Sequence, residues 1–309
     1  MNIIPTAHPR LALVVGLVTG IVVVGTLAPS PSPDAPPLDK SYRPNISLLK
    51  LPQKLDFCGE AIPMDDPDVR KRMEREFLLS LQSDGQMMLY LKRSGEYFAM
   101  FDSLLAAENA PADLKYLAVA ESALYMTQSG KGAVGLWQFI PETARRYGLR
   151  VDDFVDERRH PVRSTMAAIR YLKDNRSRFG NWGLAVAAYN MGENATQDDM
   201  TFQKQNSYFN LFLNEETARY LFRIVAIKEI MQHAEHYGYS LAKDEYYQAI
   251  PSRSVQVTTE IPNLEAWAES QGTSYKMVKL LNPWILKRTL PKPAQDAPYR
   301  IAVPLSEAK

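Results

Sequence analysis

The chain has 309 residues, 46% of them hydrophobic, which is enough for one substantial core and a smaller accessory domain. Its formal charge is +1, with lysine and arginine spread along the sequence, so the basic stripe that nucleic-acid binding needs is missing and no nucleic-acid partner is expected. A single cysteine, Cys58, excludes an intramolecular disulfide and reads as a small buried apolar residue.

Residues 11–28 form an uncharged apolar run, preceded by Arg10 and followed by no basic residue until Lys40. This is the pattern of an export signal with its N-terminus inside, and it places the rest of the chain in the periplasm or cell envelope. At 1.5 Å per residue the run is about 27 Å long, close to the thickness of a bilayer core. Two readings stand. An uncleaved anchor, with the membrane as partner, is favoured by the length and by Pro29; cleavage as a signal peptide is allowed by Thr26-Leu27-Ala28. No cysteine lies near the end of the run, which excludes lipid attachment there. Gly16 and Gly20 form a small-xxx-small pair, but in a glycine-rich run this assigns no oligomeric state. Residues 29–45 open with Pro29-Ser-Pro-Ser-Pro-Asp-Ala-Pro-Pro37, an extended linker.

Residues 46–245 read as all-helical. Asp66 and Pro67 supply a cap and a first-turn proline, after which Val69, Met73, Phe77 and Leu81 recur every four residues in a helix ending near Ser83. A short helix over 87–91 and another over 97–105 lead to a helix ending at Glu121. Pro141 starts one stopped by Gly148, residues 163–179 form one stopped by Gly180, and residues 182–189 form the next. A long helix over 216–237 carries Tyr220, Ile224, Ile227 and Met231 on one face. His233 and His236 lie three apart on it, but no third ligand accompanies them and no metal site is expected. Residues 251–309 change character: a strand over 254–259, a helix over 264–271 ended by Gly272, and a strand over 299–304 outline a βααβ unit. The fold class is therefore mainly α, with a small α+β module at the C-terminus.

Glu121 is the conspicuous residue of the helical region. Leu114, Leu117 and Ala118 precede it at spacings of seven, four and three, so an acid sits on a stripe that should face the interior. Lost hydration disfavours the anion and raises the pKa, which makes Glu121 a candidate general acid. A cap or salt bridge at a helix end is the alternative on position alone.

Three ordered blocks extend this reading: Glu121-Ser122, then Ser129-Gly-Lys-Gly-Ala-Val-Gly-Leu-Trp-Gln138, then Ala187-Ala-Tyr189-Asn190-Met-Gly192. With Phe57-Cys-Gly-Glu60, Asp156-Glu-Arg158 and Glu216-Thr-Ala-Arg-Tyr220, they resemble the soluble lytic transglycosylase family in its membrane-bound transglycosylase D branch. The resemblance implies a lysozyme-like catalytic domain acting on peptidoglycan glycan strands, with no cofactor. It implies that Glu121 alone does the proton work in cleaving the MurNAc-GlcNAc β-1,4 bond, leaving 1,6-anhydro-MurNAc ends. A water-using muramidase on the same fold, or a non-catalytic scaffold that binds peptidoglycan, are the competing readings.

For the substrate-binding positions the resemblance implies that Ser129 bonds an N-acetyl group or the acid, Gln138 sugar hydroxyls, and Tyr189 the acid or the intermediate. Asn190 would help bind glycan, and Glu216 would face the cleft. Each has a plainer alternative: Ser129 as a turn former, Tyr189 and Asn190 as satisfied buried polar groups, Glu216 as a partner of the helix dipole. Gly132 and Gly135 would let backbone approach sugar, Trp137 either packs in the core or stacks on sugar, and Asp156 with Arg158 reads as a structural ion pair. The C-terminal unit, with Leu280-Leu-Asn282-Pro283 before its last strand, resembles a LysM carbohydrate-binding module. Its first turn departs from that pattern, with Glu260-Ile-Pro-Asn-Leu264 in place of Gly-Asp-Thr-Leu. Glycan binding and mere packing or spacing both remain open for it.

Overall fold

A computed structural model of the chain describes residues 50–294 and 297–305. The apolar run at 11–28 and the linker at 29–45 lie outside the described residues. Among the described residues no helix is long and apolar enough to cross a membrane.

A small antiparallel hairpin, β1 (Asp56–Phe57) and β2 (Glu60–Ala61), opens the helical body. Cys58 in its turn is half-buried, with a left-handed backbone (φ 54°). Asp66 then caps α1 (Pro67–Gln82), accepting from the backbone of Asp68 and Val69 at 2.8 and 3.3 Å. The four-residue stripe of Val69, Met73, Phe77 and Leu81 is buried as its spacing requires, each side chain contributing about 2 kcal/mol.

The next helix differs from expectation. Instead of two short segments, α2 runs unbroken over Asp84–Ala107, straight through Gly95. A Cβ at Gly95 would lie 2.5 Å from the Tyr247 carbonyl, so this glycine serves a close approach of the returning chain instead of ending the helix.

A short 3-10 turn leads into α3 (Lys115–Ser122), which stops because Ala123 and Leu124 both take the left-handed conformation, at φ 56° and 55°. After a loop come α4 (Pro141–Arg146), α5 (Pro161–Phe179) and α6 (Trp182–Met191). Every residue from Trp182 to Ala188 is buried, and its alanines let neighbouring helices come close, so α6 is the central helix of the body. Helix α7 (Glu193–Gln203) was not expected from the sequence. Helix α8 (Glu215–Gln232) buries the Tyr220, Ile224 and Ile227 face as its spacing predicts and packs against α1, α3 and α6. It ends five residues early, at His233, and residues 234–237 form a 3-10 turn. His233 and His236 thus leave the helix, and among the described residues no group of side chains could hold a metal ion.

The C-terminal unit is βααβ: β3 (Ser252–Val257), α9 (Leu264–Ser270), α10 (Tyr275–Leu281) and β4 (Tyr299–Pro304). The strands pair antiparallel with Val255 opposite Ile301. Asn282 caps α10 by donating to Val278 O (2.8 Å) and joins it to β4 through two bonds, donating to Ala302 O (2.7 Å) and accepting from Ala302 N (2.8 Å). This module docks on the body through a bridge between Val155 and Ile285, flanked by Asp156 N to Trp284 O (2.9 Å) and Leu286 N to Phe154 O (2.8 Å). Val155 belongs to the module's apolar cluster, so the seam is packed as well as hydrogen-bonded.

Candidate active site

Glu121 sits in the last turn of α3, with Leu114, Leu117 and Ala118 fully buried beneath it. The residue keeps a partial exposure to solvent, yet its carboxyl is enclosed by protein atoms, and that burial pushes its pKa from 4.5 up to about 7. Two neighbours pull the other way. The Tyr220 hydroxyl on α8 donates to Glu121 Oε1, and the Arg223 guanidinium favours the anion, while Glu216 adds a further upward push. The balance leaves a carboxyl able to hold or release a proton near neutrality.

Two side chains set α3 against α8 and fix this geometry. Lys228, two turns beyond Tyr220, donates to Asp113 just before α3 (2.6 Å) and to Asp56 in the hairpin (3.1 Å). Asp113 also accepts the Cys58 backbone N–H at 2.7 Å. Below Glu121, Ser122 Oγ lies 3.0 Å from Ala118 O and 2.9 Å from Leu136 O, joining the end of α3 to the following loop.

That loop, residues 123–140, holds its shape through a buried ion pair. Arg158 grips Asp156 with two bonds of 2.8 Å and gives its remaining nitrogen to the carbonyls of Gly132 (2.9 Å) and Phe139 (3.1 Å). Asp156 and Arg158 are thus the structural pair expected. Gly135 approaches protein, not open space: a Cβ there would lie 2.0 Å from Arg158 O. Gly132, by contrast, has nothing within 4 Å of such an atom. Trp137 is a core residue, fully buried, with its indole N–H on Thr165 Oγ1 at 2.9 Å and its ring 5.5 Å from that of Phe101.

The residues singled out in the sequence fall into three groups. Ser129 closes the turn of its own loop, its Oγ accepting from Ala133 N at 3.1 Å, and Gln138, at φ 49°, spends its amide N–H on Gly135 O at 2.7 Å. Asn190, at the end of α6, accepts from Thr217 Oγ1 (2.6 Å) and reaches Glu216 Oε1 (3.5 Å), so these two are brought together at the start of α8. Glu216 is exposed there, in the helix's first turn, 4.0 Å from Lys131 of the loop. Tyr189 stands between the groups. Its hydroxyl donates to Trp137 O at 2.7 Å, and the carboxyl of Glu121 is close enough to push the phenol's pKa well up together with burial.

The tyrosine bonded to Glu121 is Tyr220, which the sequence presents on an apolar helix face and as the end of the Glu216-Thr-Ala-Arg-Tyr220 block, with no role assigned to it. Its spacing matches Ile224 and Ile227, so nothing in the pattern separates a core tyrosine from one that faces an acid. The placement of both tyrosines beside one carboxyl is chemistry of proton transfer: one acid with a pKa near neutrality, one phenolic donor on it, and a rim of amide and carboxylate groups that could hold a sugar.

Comparison with known proteins adds sequence relationships to this geometry. Residues 100–212 match the family described as Transglycosylase SLT domain, a span that holds Glu121, Ser129, Gln138, Tyr189 and Asn190 but stops short of Glu216 and Tyr220. Residues 253–307 match the Soluble lytic transglycosylase C-terminal LysM-like domain. The membrane-bound lytic murein transglycosylase D of Escherichia coli K12, and that of Escherichia coli O6:H1, are each 28% identical over 258 residues, covering 82% of this chain and 56% of theirs. The chain therefore spans about half the length of the curated relatives it matches. Among solved structures, an inactive mutant of the lytic transglycosylase Slt from Pseudomonas aeruginosa is similar over 49% of this chain and 26% of that one, at 22% identity and a TM-score of 0.37. Residues 100–212 and 253–307 thus match, in that order, the Transglycosylase SLT domain and the LysM-like C-terminal domain of soluble lytic transglycosylases, and the chain is similar over most of its length to membrane-bound lytic murein transglycosylase D.

Proposed function

We propose that the chain is a peptidoglycan lytic transglycosylase, with residues 46–245 as its catalytic domain and 251–309 as a LysM-like module. It is exported to the cell envelope, with residues 11–28 as membrane anchor. The observation that supports this most is the carboxyl of Glu121, enclosed on an apolar stripe, its pKa pushed up to about 7, with Tyr220 as its hydrogen-bond donor.

In this reading Glu121 enters the reaction protonated and gives its proton to the glycosidic oxygen between MurNAc and GlcNAc. The C1–O bond breaks, the GlcNAc 4-oxygen leaves as a hydroxyl, and the N-acetyl carbonyl oxygen of MurNAc bonds to C1. Glu121, now a carboxylate, takes the proton of the MurNAc 6-hydroxyl. The 6-oxygen displaces the N-acetyl oxygen at C1 and closes the 1,6-anhydro ring. The acid ends protonated as it began, and water is not consumed. A substrate-assisted route of this kind needs one carboxylate where most glycosidases use two. Tyr220 stabilises the carboxylate stage, while Ser129, Gln138, Tyr189, Asn190 and Glu216 line the approach of the glycan.

The products decide among the readings. Peptidoglycan digested with the protein and analysed by mass spectrometry should yield anhydro ends, lighter by one water. Reducing ends would make it a hydrolytic muramidase, and no products at all would make it a scaffold. Glu121→Gln should abolish turnover and retain glycan binding; substantial residual activity would mean that another group does the proton work.

A further inference from the structure

A recess of about 1040 Å³ lies at the seam between the helical body and the C-terminal module, and none of the residues around Glu121 line it. The body contributes Arg150, His160 and Arg163; the module contributes Trp284, Lys292, Tyr299 and Arg300. What these side chains offer to the recess is almost entirely hydrogen-bond donors and positive charge.

His160 Nδ1 lies 3.5 Å from the Arg163 backbone nitrogen. Burial holds its pKa down at about 4, which keeps the ring neutral, with one N–H to give. Trp284 stacks on it with ring centroids 5.8 Å apart, and its indole N–H, which is not among the buried unpaired side-chain atoms, opens to solvent at the recess with no hydrogen-bond acceptor among the described residues. The Tyr299 hydroxyl accepts from Arg150 at 3.1 Å, leaving its own proton to give.

Charge points the same way. Arg150 pairs with Asp152 and Arg163 with Glu157. Glu157 is the carboxylate among the described residues of the lining, and it is also taken up by Arg150 N at 2.8 Å. Lys292 and Arg300 are exposed and have no acidic partner among the described residues. A neutral sugar presents donors and acceptors alike and gains little from two exposed cations. A ligand rich in carboxylates supplies what the recess lacks.

We propose that this seam recess binds the carboxylate-bearing peptide attached to the lactyl groups of peptidoglycan strands, at a site separate from Glu121. The proposal rests on the reading of peptidoglycan as substrate, and it makes the module a reader of peptide instead of sugar.

The test uses the full chain and calorimetric titration with four probes: the tripeptide L-Ala-γ-D-Glu-meso-diaminopimelate, its fully amidated form, chitotetraose and inorganic phosphate. The free tripeptide should bind and the amidated form should not. The double variant Lys292→Glu with Arg300→Glu, whose sites are exposed and outside the core, should weaken tripeptide binding by about tenfold or more. Trp284→Phe, which keeps the ring and removes the donor, should weaken it severalfold. Chitotetraose binding and turnover of peptide-free glycan should be unchanged in both. Tripeptide binding that ignores the charge reversal overturns the proposal, as does phosphate binding equal to that of the tripeptide. A chain that cleaves glycan but does not bind tripeptide overturns this site alone. A chain that binds tripeptide in the charge-sensitive way but makes no products supports the site and counts against the catalytic reading.

Discussion

Replacing Glu121 by glutamine removes an ionisation while keeping an oxygen to accept the Tyr220 hydroxyl, so it isolates the free energy of charging this carboxyl. In the folded protein the pKa is pushed from 4.5 to about 7. A group whose folded pKa lies above its unfolded value stabilises fully at low pH and loses that contribution as pH rises through the folded value. The wild type should therefore lose stability between about pH 4.5 and pH 7.5, by about 3 kcal/mol at about 1.4 kcal/mol per pH unit. Glu121→Gln should not share this loss. Urea unfolding of both proteins at a series of pH values gives the difference curve, which should start flat at low pH, climb through the acid range and level off near pH 8 with the variant the more stable. A curve independent of pH, or one that falls, would show that Glu121 is charged and well solvated in the fold, and the argument for a proton-holding acid would fail.

Tyr220→Phe removes the donor that favours the Glu121 anion, so the pKa should climb further above about 7. The alkaline limb of kcat/KM for glycan cleavage should move to higher pH by about one unit, and turnover should fall by about tenfold or more. An unmoved limb would disconnect that bond from the proton. Gly135→Ala forces a Cβ to 2.0 Å from Arg158 O at a backbone φ of 86° and should destabilise the protein by about 3 kcal/mol in denaturant titration. Asn282→Ala deletes two bonds to β4 and one within α10 and leaves the Ala302 groups without those partners; about 2 to 3 kcal/mol should be lost, first seen as faster amide exchange in β4.

Much of this was legible before the structure. An acid on an apolar stripe needs only helical periodicity to be noticed, and Glu121 is where that periodicity puts it. Asp66-Pro67, Gly148 and Gly180 mark helix ends by backbone chemistry alone, and all three do so here. The failures share a cause, which is that local sequence cannot report what a distant segment will do. Gly95 looks like a helix breaker until residues 246–247 return to cover it. His233 ends α8 where the apolar spacing of Met231 would have carried it on. By its helical spacing alone Tyr220 reads as a core tyrosine, and only the fold sets the Glu121 carboxyl of α3 opposite its hydroxyl. Gly135 was expected to admit sugar and instead admits the carbonyl of a residue 23 positions later in the chain, Arg158.

Asp156 and Arg158 have a further consequence. The backbone N–H of Asp156 is bonded to Trp284 in the C-terminal module, its carboxylate grips Arg158, and Arg158 holds the carbonyls at both ends of the Gly132–Phe139 stretch. A tug on the module is thus passed through three residues to the loop beside Glu121. The C-terminal module is thereby a keystone for the loop that follows Glu121: it closes a chain of contacts whose far end is the backbone of Gly132 and Phe139.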